Sequence, residues 1–117
     1  MVQPVGRLKR RAEFLRVADA RRKWAAPGLV LQAARAPEAE ADGVRVGFTA
    51  TKRLGGAVVR NRAKRRLRAA AAAVLPAAAK PGHHLVLIGR SETLSRKFSD
   101  LKTDVAAALA KLGIAKS

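Results

Sequence analysis

Between Lys52 and Arg68 the chain reads KRLGGAVVRNRAKRRLR, eight Lys or Arg residues without a single acid. Beyond its two glycines a 3.6-residue pattern runs unbroken to Pro76, which makes this segment a helix. On a helical wheel with Arg60 at 0°, Lys64 falls at about 40°, Arg68 at about 80°, Asn61 at about 100° and Arg65 at about 140°. Val59, Ala63, Leu67, Ala70 and Val74 gather between about 260° and 340°, an apolar stripe of ordinary width. The helix therefore needs a core under one side and something that tolerates dense positive charge on the other. Arg62 and Arg66, near 200° and 240° by roughly the same construction, sit on the flank and are weaker candidates for direct contact.

A solvated helix face normally mixes Glu with Lys, because opposite charges four residues apart stabilise a helix and like charges destabilise it by a few tenths of a kcal/mol. Arg60 with Lys64 and Lys64 with Arg68 are like pairs. Cations toward the N-terminal turn also oppose the backbone dipole. A polyanion that neutralises the face removes both costs, and nucleic acid is the polyanion such a stripe fits. The whole chain leans the same way: 25 Lys and Arg against 8 Asp and Glu give a formal net charge of +17, and no acid occurs between Asp42 and Glu92. Attraction to phosphate is expected whatever the fold.

At 117 residues the chain reads as one domain, 1–117, with a core of its own and with residues 1–7 and 114–117 expected to be disordered. Zero cysteines leave no disulfide and no thiolate metal site. No stretch suits a signal peptide or a bilayer span, so a cytoplasmic protein is expected.

Leu8, Ala12, Leu15 and Ala18 or Asp19 recur at helical spacing, predicting an amphipathic helix over about 8–20. A short strand around 23–25, a Pro27-Gly28 break and the apolar run LVLQAA from Leu29 follow. In VRVGFTAT, Val44, Val46, Phe48 and Ala50 alternate with Arg45, Gly47, Thr49 and Thr51, the clearest strand in the chain. The basic helix is predicted over 57–75, stopped by Pro76. After a turn at AAAKPGHH, LVLIG reads as a buried strand. A last helix from Ser95 or Ser99 to Leu112 puts Phe98, Leu101, Val105, Ala108 and Leu112 on its core face, with Gly113 as its stop. The order α-β-β-β-α-β-α predicts an α+β two-layer sandwich, with helices covering one face of a small sheet.

Catalytic groups are not in evidence. Glu13 and Asp19 do not share a helix face well, Asp100 and Asp104 suit the N-terminal turns of the last helix, and His83 and His84 read as loop residues in a Pro-Gly turn, with a strand-edge role second. Asn61 can bond a base edge, a ribose hydroxyl or a phosphate, or serve as a helix cap. Gly55 and Gly56 let backbone amides approach a phosphate, but Lys52 precedes them and no P-loop spacing follows. Phe48 and Phe98 read as core. Phe14 falls beside Arg10 and Arg21 rather than squarely on the apolar stripe, and Trp24 follows Arg21, Arg22 and Lys23; an aromatic in basic company is a stacking platform for single-stranded nucleic acid.

These residues, RVGFTATKRLGGAVVRNRAKRRLRAA with Arg60, Asn61 and Arg62 at its centre, resemble the central signature of the bacterial ribonuclease P protein subunit. RLKRRAEFLRV upstream and LVLIGR downstream extend the resemblance over nearly the whole chain. It implies a ribosomal-protein-like fold with a left-handed crossover through the basic helix, against the general right-handed rule. It implies an accessory subunit of an endoribonuclease that removes 5′ leaders from precursor tRNA, in which a catalytic RNA carries the chemistry with Mg²⁺. This chain would then hold no cofactor or metal of its own and bind neither a membrane nor a protein partner. Lys52, Arg53, Arg60, Asn61, Arg62, Lys64, Arg65 and Arg68 carry over as RNA-binding positions. Phe14, Arg10 and Arg11 carry over to a leader-binding cleft, with Trp24 joining them from its basic flank. Ala18 and Gln32 stand where relatives often offer aromatics, which shifts weight from stacking to arginine. A ribosomal or other structured-RNA-binding protein is the alternative. A helix-turn-helix DNA binder is disfavoured by the intervening strands, and membrane-surface binding by the alanine-rich apolar side.

Overall fold

Alternation in the clearest strand is realised as β4 (Val44–Thr49), with Val44 and Val46 buried on one side and Arg45 exposed on the other. The structure is a computed structural model that describes residues 2–116. Around β4 the chain supplies β1 (Val5–Arg7), α1 (Arg11–Asp19), β2 (Arg22–Ala26), β3 (Leu29–Arg35), α2 (Ala57–Ala78), β5 (His83–Gly89) and α3 (Phe98–Lys111). Short 3-10 turns lie at Glu38–Glu40, Lys52–Leu54 and Ser91–Leu94. The sheet order is β1-β4-β5-β3-β2. β4 pairs in parallel with both β1 and β5, whereas β5 with β3 and β3 with β2 are antiparallel. Parallel neighbours need a crossover, and α2 is the crossover between β4 and β5.

The α+β class stands, and the main core lies where α2 and α3 meet one face of the sheet. Leu29, Leu31, Val46, Leu85 and Leu87 from the strands pack under Leu67, Ala70 and Leu75 of α2 and Leu101, Val105 and Leu109 of α3. The opposite face carries a second, smaller cluster of Leu8, Val17, Ala34 and Val86, with Phe14 and Ile88 packed on it. The first helix thus sits across the sheet from the other two, not beside them as expected. The reason is register parity: Ala34 and Val86 occupy alternate strand positions to Leu31, Ala33, Leu85 and Leu87, and α1 covers what those positions present.

Residues 3–7 and 114–116, from segments expected to be disordered, make contacts with the rest of the fold. Val5–Arg7 is a strand because it pairs in parallel with Val44–Val46 of β4, and Gln3 before it serves the carbonyls at the end of α2: the Gln3 backbone N–H donates to Pro76 O at 2.9 Å, and its side-chain amide donates to the Ala79 carbonyl. The C-terminal tail completes the same task, with Lys116 N–H on Ala78 O at 2.8 Å, Lys80 N–H on Ile114 O at 2.8 Å, and Ile114 buried in the core. Met1 and Ser117, also within the segments expected to be disordered, lie outside the described residues.

Pro76 does not stop α2 at Leu75. It lies in the last turn and removes one donor there, while the helix runs on to Ala78 and Ala79 N–H still reaches Leu75 O at 3.1 Å. Phe98 is 40% exposed at the start of α3, with Lys102 over its ring, and is not a core residue. His83 and His84 belong to β5, a central strand, not to a loop or an edge.

Asp104 is no cap either. It is buried, accepts the Gly28 N–H at 3.0 Å, and pairs with Arg96 at 2.8 Å, tying the β2–β3 turn to α3. No side chain fits at Gly28, since a β-carbon there would lie 2.6 Å from both Asp104 Oδ2 and Leu101 Cδ1. Asp104→Ala is expected to cost about 2 kcal/mol, chiefly because the buried Gly28 N–H loses its acceptor while the partly exposed Arg96 finds water. The check is urea denaturation, where the midpoint should fall with the slope unchanged; an unmoved midpoint would contradict this role.

Candidate nucleic-acid interface

Two surfaces on different sides of the fold carry the predicted residues. The first is α2 with the turn before it. Gly55 has φ 147°, and a β-carbon there would press on the Val59 side chain at 3.0 Å, so the turn into α2 requires glycine. The N-cap, Gly56, has no side chain to cap the helix and no acid follows in the first turn, which leaves the N-terminal amides to outside acceptors. Lys52, Arg53, Asn61, Arg62, Arg65 and Arg68 are exposed, and Arg60 and Lys64 are half-buried. Ala63, Leu67 and Ala70 are fully buried behind them, as the helical wheel predicts.

Among the described residues, the ion pairs are Arg45–Glu40, His84–Glu40 and Arg96–Asp104, and none reaches a cation of α2. Arg60 adds a buried Nε without a hydrogen-bond partner among the described residues. The Arg68 guanidinium lies 5.6 Å over the Phe48 ring, and Phe48 is half-buried against the main core. Arg66 differs from its neighbours: its Nε donates to Thr93 O at 2.8 Å and its terminal nitrogen to Arg96 O, so it staples the Ser91–Leu94 turn to α2. Val58, 81% exposed and near 160° by about the same wheel, lies within the cationic face and was not among the predicted contacts.

The second surface is the face of the sheet under α1. Phe14 is half-buried with its ring directly above Gly47, where a β-carbon would overlap the ring. A glycine inside an otherwise alternating strand is the sequence signal for such close approach, and it was open to reading in VRVGFT. Arg10 and Arg11 are exposed at the start of α1. At the other end of the helix, Ala18, Arg21, Lys23 and Gln32 line a small cleft. Arg21 holds φ 56°, a left-handed conformation usually left to glycine, and it ends α1 directly beside that cleft.

Trp24 does not join Phe14. It pairs with Leu31, whose side chain faces α3, and Lys111 of α3 sits 5.4 Å from the Trp24 ring. The Trp24 side chain is therefore on the opposite face of the sheet from α1. It was placed in the cleft by its basic neighbours, but strand parity puts Lys23, not Trp24, on the α1 side.

Glu13 organises the start of α1. Its carboxylate accepts the backbone N–H groups of Arg10 and Lys9, each at 2.9 Å, and these two bonds hold its pKa below the usual carboxylate value. A depressed carboxylate stabilises the fold at neutral pH, and that contribution is lost as pH falls below the ordinary carboxylate value and through the folded one. Protection of the amides in the first turn of α1, measured as exchange relative to the intrinsic rate at each pH, is thus expected to fall on acidification, and Glu13→Gln should remove most of that change.

Comparison with known proteins agrees with this geometry. The Ribonuclease P family model matches residues 3–113. The ribonuclease P protein component of Paramagnetospirillum magneticum is 56% identical over 115 residues, covering 97% of this chain and 86% of that protein. Its counterpart in Ruegeria pomeroyi is 52% identical over 106 residues, covering 90% and 84%. In fold, the chain is similar to the RNase P protein of Staphylococcus aureus, with a TM-score of 0.75 at 21% identity over 94% of this chain and 97% of that one. The Thermotoga maritima RNase P protein gives 0.71 at 22% identity, covering 86% and 92%. A match of this extent, on a chain whose cationic helix has no ion-pair partner among its described residues, means that the chain belongs to the ribonuclease P protein family and is a subunit of that tRNA-processing endoribonuclease.

Proposed function

We propose that the two surfaces divide the work of the subunit. Lys52, Arg53, Arg60, Asn61, Arg62, Lys64, Arg65 and Arg68 hold the catalytic RNA, mainly through phosphate, while Phe14, Arg10 and Arg11 receive the single-stranded 5′ leader of precursor tRNA. The observation that carries the first half is that, among the described residues, no Glu or Asp forms an ion pair with a cation of α2. The second half rests on Phe14, an aromatic held at a fixed height over the sheet with arginines at its rim. Ala18 and Gln32 in the same region leave arginine and lysine, not further aromatics, to meet the leader.

Mg²⁺ belongs to the RNA in this reading. Among the described residues no three His, Asp or Glu side chains converge, and the two best-placed carboxylates, Asp104 and Glu40, already serve Arg96 and Gly28, and His84 and Arg45. We therefore assign neither a resident metal nor a catalytic step to the described residues. No helix among the described residues is long and apolar enough to cross a membrane, and a cytoplasmic setting fits the proposed partners. The test is cleavage of precursor tRNA by a cognate catalytic RNA at low Mg²⁺, with and without this chain. Strong stimulation is expected, and its absence would overturn the proposed division.

A further inference from the structure

His84 is 2% exposed in the middle of the sheet, and both of its ring nitrogens are engaged. Nδ1 lies 3.4 Å from an Arg16 guanidinium nitrogen, and Nε2 lies 3.1 Å from Glu40 Oε1. Arginine can only donate, so Nδ1 is the acceptor and the ring proton sits on Nε2, facing the carboxylate. The chain of contacts continues at both ends. The same Glu40 oxygen takes Arg45 Nε at 2.9 Å, and the other Arg16 nitrogen donates to the Arg35 carbonyl. Arg45 and His84 are register partners across β4 and β5, on the face that α1 covers. One buried ring thus ties α1, the sheet and the Glu38–Glu40 turn together.

A nine-residue helix is too short to hold itself in place, and apolar packing alone resists sliding poorly because it is non-directional. Val17 is the one fully buried side chain of α1, while Phe14, two residues before Arg16, must stay centred over Gly47. We infer that His84 is a positioning residue for the leader cleft: with Arg16 and Glu40 it clamps α1 at the height and tilt that present Phe14 to a single-stranded base. The inference rests on the proposed reading of that cleft as the leader site. It assigns a role in substrate discrimination to residues that touch no substrate, and the directional bonds explain why a histidine occupies a buried strand position an aliphatic side chain would fill.

His84→Phe keeps the buried volume and removes both bonds, leaving Arg16 and Glu40 free to meet water. In the holoenzyme assembled with a cognate catalytic RNA, the readout is the ratio of affinity for precursor tRNA with a leader to affinity for tRNA without one. His84→Phe is expected to lower that ratio about tenfold, the loss of roughly one base stack, while affinity of the protein for the catalytic RNA stays unchanged. Glu40→Ala should reproduce the loss, and Glu40→Gln, which still accepts from Nε2–H, should largely restore the ratio. These two also decide the matter if His84→Phe does not fold. A purely structural role would lower thermal stability in His84→Phe and Glu40→Ala and leave the ratio where it was, which would overturn the inference. Phe14→Ala run alongside separates the two levels: if neither wild type nor Phe14→Ala shows leader dependence, the cleft reading fails; if Phe14→Ala loses it and His84→Phe retains it, the clamp alone fails.

Discussion

Gly47→Val should destabilise the fold and remove leader discrimination together, and the destabilisation alone should vanish or reverse when Phe14 is absent. The Phe14 ring occupies the space a side chain at 47 would fill, so the new atoms must displace the ring or lift α1. Inserting bulk into a packed site costs about 1–3 kcal/mol. Lifting α1 is opposed by Arg16, which is bonded to His84 and to the Arg35 carbonyl, so the strain falls on Phe14 itself. In a Phe14→Ala background the ring is gone, and valine then suits a strand better than glycine does. Gly47→Val is expected to be neutral or stabilising there. Thermal or urea denaturation of the four proteins closes the cycle, and near-additive effects would show that the two positions do not share the site. Leader-dependent affinity should be lost in all three variants, because restored packing does not restore the aromatic surface.

Replacing Arg60, Lys64, Arg65 and Arg68 together with Gln is expected to separate binding from stability in the opposite direction. Each phosphate contact contributes about 0.7–0.9 to the slope of log affinity against log salt, so the slope for the catalytic RNA should fall by about three. The isolated protein should become slightly more stable, since Arg60 with Lys64 and Lys64 with Arg68 are like charges one turn apart, each pair costing about 0.2–0.5 kcal/mol. Arg66→Gln is the internal contrast. Arg66 spends its donors on the Thr93 and Arg96 carbonyls, so its loss should weaken the fold and leave the salt slope unaltered. A slope unchanged in the fourfold variant would place the RNA elsewhere, and a slope reduced by Arg66→Gln alone would show that the flank of α2, not its centre, meets the phosphates.

The division of α2 into a cationic and an apolar side was legible because both depend on neighbours three and four residues apart, and the structure buries Ala63, Leu67 and Ala70 as that spacing requires. β4 was legible for the same reason at a period of two. The family signature around Arg60, Asn61 and Arg62 is likewise local, and it sufficed to anticipate a family shown by a match over residues 3–113. The fate of Arg66 was only half legible: its flank position could be computed, but the carbonyls it reaches belong to residues about thirty positions away.

What local pattern left open was settled by contacts between distant segments. Gln3 meets the end of α2 through Pro76 O, and Ile114 is buried in the main core, both through contacts with residues distant in sequence. Trp24 and Lys23 look alike in a basic stretch, yet pairing of Trp24 with Leu31 sends one to α3 and the other to the α1 face. His84, in a run that resembles a turn, becomes buried because β5 lies between β3 and β4 and Glu40 reaches it from a loop 44 residues away. Charge and periodicity along the chain thus determined which helix carries the dense cationic face and which side of it is buried. Tertiary structure alone decided which aromatic lies between α1 and the sheet, because strand register and buried polar partnerships join residues that no local repeat relates.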